Sequence, residues 1–269
     1  MAHTALETAA QAARAGAEII RQHAGRYEKL RTKSSGVDFV TEVDVSSGVA
    51  VVASIAAAVP GARFVVEEPE VYRLAGVEEG SLDEAEVWVI DPLDGTTSFV
   101  HGYPCYSVSV ACLRDGQPVA GAVLNAVTGE LFTAEAGGGA FLGGVPIRCT
   151  SAPDIPSALI ATGFPYERTV TLDRQLRIFS AVIRTAHDVR RDGSAAIDCC
   201  EAACGRVDAF WELALRPWDM AAGVCILREA GALVTDTAGG GWTAATTDLV
   251  AANPALHARL LEVIAEVEG

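Results

Sequence analysis

The spacing of apolar residues predicts helices and short strands in the first part of the chain. Apolar and alanine positions recur at helical spacing over residues 4–24, and Gly25 ends that pattern. A second, more uniformly apolar helix is expected over residues 45–58, ahead of Pro60. Two short apolar runs predict strands at residues 63–66 and 86–90.

The pattern changes to short β runs between residues 106 and 148. Dipeptides typical of hairpin turns separate these runs: Asp115-Gly116, Thr128-Gly129 and Gly143-Gly144. The Gly137–Gly139 run lies among the predicted hairpins and fits neither of the common nucleotide-loop patterns. We therefore expect it to form a turn rather than a phosphate-binding loop.

Strands and helices alternate in the second half of the chain. The apolar runs predict strands at residues 158–161, 188–191, 208–213, 232–235 and 249–252, and helices at residues 170–186, 194–204, 218–230 and 254–267. Pro153 and Pro156 mark a change in composition near residue 150. We therefore expect two parts, residues 1–150 and residues 151–269, in a layered α/β structure of helices packed on sheets.

Composition and charge exclude some classes of protein and of function. The 269 residues include 20 Lys+Arg and 35 Asp+Glu, which gives a formal net charge of −15. Half of the residues are hydrophobic, so the chain is not of the disordered class. The acidic total argues against direct contact with nucleic acid, which needs a basic surface. Only two of the basic residues are lysines, Lys29 and Lys33, so a lysine within a candidate functional site is informative.

Cysteine usage and the N-terminal sequence bear on the compartment. Seven cysteines at irregular spacing do not form a secreted disulfide framework, and we expect them to be small apolar residues. The N-terminus lacks the basic head and apolar run of a signal peptide. Residues 45–62 carry no charge, but they are rich in small residues and broken by Pro60-Gly61, so we expect no membrane span. These features favour a cytoplasmic protein.

The segment Asp91-Pro-Leu-Asp-Gly-Thr-Thr97 carries the clearest chemistry. A predicted strand ends in two carboxylates separated by Pro-Leu, and the stiff proline lets both point into one small volume. Carboxylates held that close repel each other unless a cation lies between them, and Mg²⁺ prefers such oxygen ligands. The amides of Gly95 and Thr96 are suited to contact a phosphate. An Asx turn that caps a helix would explain the same residues without a metal.

Further acidic residues follow or end other predicted elements: Asp44, Glu67, Glu68 and Asp219. Taken singly, each has an ordinary explanation, since Asp219 is a candidate helix N-cap and Glu68 is expected in solvent. Taken together, acids at the ends of several elements are typical of a two- or three-cation site for phosphoryl transfer.

These segments resemble the inositol monophosphatase family of Mg²⁺-dependent, Li⁺-inhibited phosphatases. The matching segments occur in the family's order: KSSGVDFVTEVD at residues 33–44, VEE at 66–68, DPLDGTTSFVHG at 91–102, GSAA at 193–196 and WDMAAGVCILREAG at 218–231. The resemblance implies an αβαβα sandwich, a homodimer and two to three Mg²⁺ ions per subunit.

The resemblance also implies a role for each matching residue. One Mg²⁺ would be held by Glu67, Asp91 and the carbonyl of Leu93, a second by Asp91, Asp94 and Asp219, and a weaker third would contact Glu67. Catalysis would involve Glu67, Thr96, Asp44 and Lys33, with Thr96, hydrogen-bonded to Asp44, orienting the attacking water. The substrate would be contacted by Asp94, Gly95, Thr96, Gly193, Ser194, Ala195, Glu212 and Asp219.

The implied reaction is Mg²⁺-dependent hydrolysis of inositol monophosphate to inositol and phosphate. Glu212 favours a polyol, because one carboxylate accepts hydrogen bonds from two vicinal hydroxyls. Other phosphate esters stay open: fructose-1,6-bisphosphate, histidinol phosphate and phosphoadenosine phosphate. A regulatory binding protein is a further alternative function, because Arg190-Arg191 and residues 205–208 resemble a family member that acts in transcription antitermination.

The chain also departs from the family's pattern. Val66 stands where a small residue is usual, Pro69-Glu70 replaces a common Gly or Ser continuation, and the helix predicted at residues 45–58 is unusually apolar.

Overall fold

In the computed structural model, the chain folds into alternating layers of helices and sheets, and the structure describes residues 4–27, 30–32, 39–165 and 171–268. The described helices are α1 (Ala5–His23), α2 (Glu42–Ala58), α3 (Glu70–Ala75), α4 (Thr96–His101), α5 (Leu172–Thr185), α6 (Ala195–Cys204), α7 (Pro217–Glu229) and α8 (Pro254–Glu268). The described strands are β1 (Leu30–Thr32), β2 (Phe39–Thr41), β3 (Phe64–Val66), β4 (Glu86–Asp94), β5 (Ser107–Arg114), β6 (Gln117–Asn125), β7 (Leu131–Glu135), β8 (Gly139–Leu142), β9 (Val145–Pro146), β10 (Leu159–Thr162), β11 (Asp188–Arg190), β12 (Ala209–Glu212), β13 (Leu233–Thr235) and β14 (Leu249–Ala252).

A seven-stranded sheet, ordered β3-β4-β5-β6-β7-β8-β9, forms the first half of the core. The β3–β4 pair is parallel and every other pair is antiparallel. Residues of α1 and α2 share a buried cluster with one face, and residues of α6 and α7 share one with the other. Because helices cover both faces, β5 is buried almost throughout and shows little polar alternation.

A five-stranded sheet, ordered β11-β10-β12-β14-β13, forms the second half of the core. Its β10, β11 and β12 are parallel, while β14 is antiparallel to both of its neighbours. Residues of α6 and α7 pack on one face, and residues of α5 and α8 pack on the other. The order of layers is helices, sheet, helices, sheet, helices, which confirms the predicted αβαβα sandwich. The division at residue 150 stays a prediction, because α6 and α7 pack against the sheet of the first part.

The helix predicted at residues 45–58 begins three residues earlier, at Glu42. Thr41 caps it, because the Thr41 hydroxyl accepts a hydrogen bond from the N–H of Val43 at 3.1 Å. The apolar surface of α2 packs against α1 and β4, which accounts for its composition. No described helix combines the length and apolarity needed to cross a membrane.

Candidate active site

The end of β4 is an irregular segment that carries Asp91 and Asp94. The register with β5 shifts between these two residues, so Pro92 and Leu93 lie outside the regular ladder. Strand β4 therefore does not stop at Ile90, as predicted, but continues to Asp94. Gly95 follows with a φ of 92°, and a Cβ there would lie 2.8 Å from a backbone oxygen. Glycine thus permits the sharp turn from β4 into α4.

Asp94 is held at the N-terminus of α6. Its Oδ2 accepts hydrogen bonds from the Ser194 hydroxyl at 2.6 Å and from the N–H of Ala196 at 2.8 Å. The Ser194 hydroxyl also accepts from the N–H of Ile197 at 3.3 Å, so Ser194 caps the helix. Burial outweighs these bonds and raises the pKa of Asp94 to about 6. The side chain of Ser194, predicted to meet substrate, thus orients Asp94 in this structure.

Four carboxylates influence one another at this site: Glu67, Asp91, Asp94 and Asp219. Burial, followed by repulsion from the other three, raises the pKa of Asp91 well above its usual range. Burial, followed by repulsion from Glu67 and Asp94, does the same to Asp219. The Glu67 carboxyl is the first of the neighbouring carboxylates that add to the raised pKa of Asp91. We call these four residues the acidic cluster.

Asp219 does not cap α7 in the way the sequence suggested. It lies in the first turn of the helix, and its Oδ2 accepts a hydrogen bond from the N–H of Arg216 at 2.6 Å. Pro217 takes the first helical position, where a missing N–H costs nothing. The N-cap prediction was therefore wrong by three residues, and Arg216 is the cap residue.

The chemistry of the acidic cluster suits a hard cation. Among the described residues, no three Asp, Glu, His or Cys side chains form a ready-made set of metal ligands around one point. The cluster nevertheless gathers one buried and three partly buried carboxylates, and burial followed by mutual repulsion raises the pKa values of Asp91 and Asp219. A divalent cation relieves such repulsion, and oxygen ligands are those that Mg²⁺ prefers. The residues present therefore fit Mg²⁺ by donor type.

Thr96 and Asp44 form a buried pair beside the acidic cluster. The Thr96 hydroxyl has two acceptors within reach, Asp44 Oδ1 at 2.8 Å and the carbonyl oxygen of Leu93 at 3.0 Å. Asp44 Oδ2 accepts from the N–H and the hydroxyl of Thr41, at 2.8 and 2.6 Å. Burial, opposed by these bonds, raises the pKa of Asp44 to about 6. Both oxygens of Asp44 are thus fixed, and Thr96 is held next to Leu93.

A cavity of about 580 Å³ opens beside the acidic cluster. Its lining includes seven of the predicted site residues: Glu67, Asp94, Gly193, Ser194, Ala195, Glu212 and Asp219. Five others are not part of the lining: Asp44, Asp91, Leu93, Gly95 and Thr96. Lys33 lies outside the described residues. The cavity thus has the acidic cluster near one part of its wall and Glu212 in another.

Glu212, at the end of β12, is 8% exposed and packs directly against the backbone of Gly163. A Cβ on Gly163 would lie 2.1 Å from Glu212 Oε2, so only glycine leaves room for this carboxylate. Burial, with repulsion from Asp94, raises the pKa of Glu212 to about 8, and the Arg191 guanidinium opposes the shift. Glu212 is therefore a weak acid that holds a proton near neutral pH.

Sequence reasoning missed three features of this region. Arg191, noted in the sequence only for its resemblance to an antitermination protein, lines the cavity and opposes the raised pKa of Glu212. Arg174 also lines the cavity and forms an ion pair with Asp248 at 3.1 Å, across 74 residues of sequence. Glu68, expected in solvent, is only 5% exposed, because the unpredicted α3 folds back against α2 directly after it.

The glycine run at residues 137–139 forms the turn between β7 and β8, as expected. The N–H groups of Gly137 and Gly139 donate to the two carboxylate oxygens of Glu229, each at 2.8 Å. The N–H groups of the turn therefore bind a carboxylate, which belongs to a side chain of α7. The bond ties the far end of α7 to the first sheet.

Almost the whole chain matches one known protein family. The model of the inositol monophosphatase family matches residues 1–268. The chain belongs to this family. Its members are generally metal-dependent phosphatases of small substrates, and membership supports a phosphatase activity for this chain.

Similar proteins within the family carry two kinds of name. The chain is 40% identical to Nus factor SuhB of Vibrio cholerae, over 98% of this chain and 97% of that protein. It is 37% identical to inositol-1-monophosphatase of Synechocystis sp., over 97% and 89% of the two chains. The solved structure of extragenic suppressor protein SuhB from Bartonella henselae superposes with a TM-score of 0.86 at 33% identity, covering 94% of this chain and 95% of that one.

Proposed function

We propose that this family member is a Mg²⁺-dependent phosphomonoesterase that hydrolyses inositol monophosphate to inositol and phosphate. One observation carries the proposal. The acidic cluster, from the residue after β3, from β4 and from α7, meets the Thr96–Asp44 pair beside a cavity that also contains Glu212. This arrangement supports the proposal, because groups suited to hold a metal, to orient water and to contact an alcohol lie close together.

The acidic cluster and one backbone carbonyl are the proposed metal ligands. Glu67, Asp91 and the carbonyl of Leu93 would hold one Mg²⁺, while Asp91, Asp94 and Asp219 would hold a second, and Glu67 would contact a third. When bound, these ions neutralise the phosphate and lower the pKa of the attacking water. The raised pKa values of Asp91 and Asp219 support this assignment, because a bound cation relieves the repulsion that contributes to them.

The Thr96–Asp44 pair is proposed to orient the attacking water. Thr96 has one hydroxyl proton, and both Asp44 and Leu93 offer an acceptor for it. The lone pairs of the Thr96 oxygen are then free to accept a hydrogen bond from water, together with Glu67. The amides of Gly95 and Thr96, at the start of α4, and Lys33 are proposed to contact the phosphate.

The alcohol portion of the substrate is proposed to lie against Glu212 and against Gly193, Ser194 and Ala195. A buried carboxyl group that faces a polyol exchanges hydrogen bonds with hydroxyls and rejects alcohols that lack them, because its polar atoms would then lack partners. Cations bound at Asp94 would remove one of the causes that raise the pKa of Glu212. Glu212 would then accept hydrogen bonds from two vicinal hydroxyls.

A panel of phosphate esters tests the substrate assignment. Phosphate release is measured with inositol-1-phosphate, fructose-1,6-bisphosphate, histidinol phosphate and phosphoadenosine phosphate, each with Mg²⁺ and with a chelator. We expect the largest kcat/KM for inositol-1-phosphate and no release in the chelator. A larger kcat/KM for another ester would contradict the substrate, and no Mg²⁺-dependent release from any ester would contradict the enzyme.

A second candidate function is that of a Nus factor, which the 40% identity to SuhB of Vibrio cholerae supports. The net charge of −15 favours a protein contact over a nucleic-acid contact in that role. Binding to a purified transcription elongation complex, combined with no phosphate release in the panel, would favour this function over the enzyme.

A further inference from the structure

The helix α2 places two buried polar side chains next to the irregular end of β4. Asp44 and Ser47 lie one helical turn apart, amid the buried apolar residues of the helix. Asp44 bonds to Thr96, as described above. Ser47 is fully buried, and its hydroxyl donates a hydrogen bond to the carbonyl oxygen of Pro92 at 2.7 Å.

The surrounding packing leaves room for this hydroxyl and for little else. A Cβ on Gly16 of α1 would lie 2.7 Å from Ser47 Oγ, so a larger residue at position 16 would collide with it. A Cβ on Gly48 would lie 3.3 Å from Pro92 Cγ and 2.5 Å from Val71 Cγ2. Two glycines thus let α1, α2 and the end of β4 meet closely at Ser47.

The Ser47 hydroxyl replaces a ladder bond that β4 lacks at this point. Pro92 and Leu93 fall in the register shift, outside the regular pairing with β5. The Pro92 carbonyl and the N–H of Leu93 belong to one planar peptide group, so a bond to the Pro92 oxygen restricts the orientation of Leu93 and of its own carbonyl. That second oxygen lies 3.0 Å from the Thr96 hydroxyl, beside the acidic cluster.

We propose that Ser47 is a positioning residue for metal binding. Its hydroxyl holds the Pro92 carbonyl and so directs the Leu93 carbonyl, with Asp91 and Asp94 on either side of it, at the cation. This role rests on the proposed Mg²⁺-dependent function and extends it to a residue that contacts neither cation nor substrate. Groups that orient metal ligands in this way typically change metal affinity 10- to 100-fold when removed.

Binding of Mg²⁺ itself tests the proposal, without substrate. Isothermal titration calorimetry compares wild type with Ser47→Ala, which loses the hydroxyl, and Ser47→Cys, which keeps a weak donor on a slightly larger side chain. We expect Ser47→Ala to raise the Kd for Mg²⁺ about tenfold and Ser47→Cys to raise it less. The matched control is Ser46→Ala, because Ser46 is exposed and its hydroxyl donates to Glu42 of its own helix at 2.7 Å.

The outcomes separate this role from simple packing and from failure of the proposed function. If Ser47 served only in packing, its variants would melt at a lower temperature in chelator but would bind Mg²⁺ with the wild-type Kd. That result would overturn the proposal. If Ser47→Ala does not fold, Ser47→Cys decides between the same two results. Wild type that binds no Mg²⁺ would overturn the proposed function itself, and the role of Ser47 with it.

Discussion

At the scale of single residues, burial determines what the acids of this site can do. Asp44 and Asp94 have pKa values raised to about 6, and Glu212 has one raised to about 8, in each case mainly because the carboxyl group is removed from water. A buried carboxylate keeps its charge only where hydrogen bonds or a cation compensate for lost hydration. Asp44 and Asp94 have several such bonds.

Glu212 makes stability depend on pH. Its pKa is about 8 in the folded chain against an ordinary value of 4.5, so the unfolded chain releases this proton first as the pH rises. The contribution of protonated Glu212 to the free energy of unfolding is complete below pH 4.5. It falls by on the order of 3 to 5 kcal/mol as the pH rises to 8. Urea unfolding in chelator should therefore show Glu212→Gln gaining stability relative to wild type between pH 4.5 and pH 8. Parallel pH profiles would contradict this, and exposed Glu266→Gln is the control.

Thr96 and its neighbour Thr97 offer a matched pair for the water-orienting role. Thr96→Val removes the hydroxyl that bonds to Asp44, so we expect kcat for inositol-1-phosphate to fall about 100-fold or more while Mg²⁺ binding persists. Thr97→Val should keep wild-type kcat, because its buried hydroxyl oxygen has no hydrogen-bond partner among the described residues. Phosphate-release kinetics check both variants, and equal effects at the two positions would contradict the assignment.

At the scale of elements, the sequence predicted the long, strongly periodic segments best. The helices α1, α5 and α8 lie within two residues of their predicted bounds, and β14 has the predicted bounds. The six-residue helices α3 and α4 were missed, because so few turns show no clear periodicity. The end of β4 was misjudged because proline is tolerated where a strand has no ladder partner to bond.

The sequence predicted the site only where residue types indicate its chemistry. Acidic residues after predicted strands indicated a cation site, and the family's motifs suggested which ones. Contacts between distant parts of the chain were not predictable, such as Ser47 with Pro92, 45 residues apart, or Glu212 against Gly163. The close approach of two backbone segments could not be predicted from the sequence either. A Cβ on Gly121 of β6 would lie 2.7 Å from the Ala222 oxygen of α7, the helix that carries Asp219.

At the scale of the molecule, the acidic total and an anionic substrate are compatible only through cations. The chain has a net charge of −15, and the acidic cluster lies next to the cavity proposed for a phosphate ester. Without bound cations the cluster repels phosphate, and with them the local charge reverses. Both sheets and the helices between them contribute to this arrangement, because β4 supplies Asp91 and Asp94, α7 supplies Asp219, and β12 supplies Glu212.

Phosphate release from inositol-1-phosphate across a Mg²⁺ titration, for wild type and Asp91→Asn, tests the central claim most directly. Wild type should release phosphate with saturable dependence on Mg²⁺ and none in chelator. Asp91→Asn should lose activity by more than about 100-fold at every Mg²⁺ concentration, because Asp91 is the ligand proposed to be shared by two ions. It should unfold at no lower urea concentration in chelator, since an amide avoids the burial and repulsion that disfavour an Asp91 carboxylate. A folded Asp91→Asn variant with wild-type Mg²⁺ dependence would contradict the account.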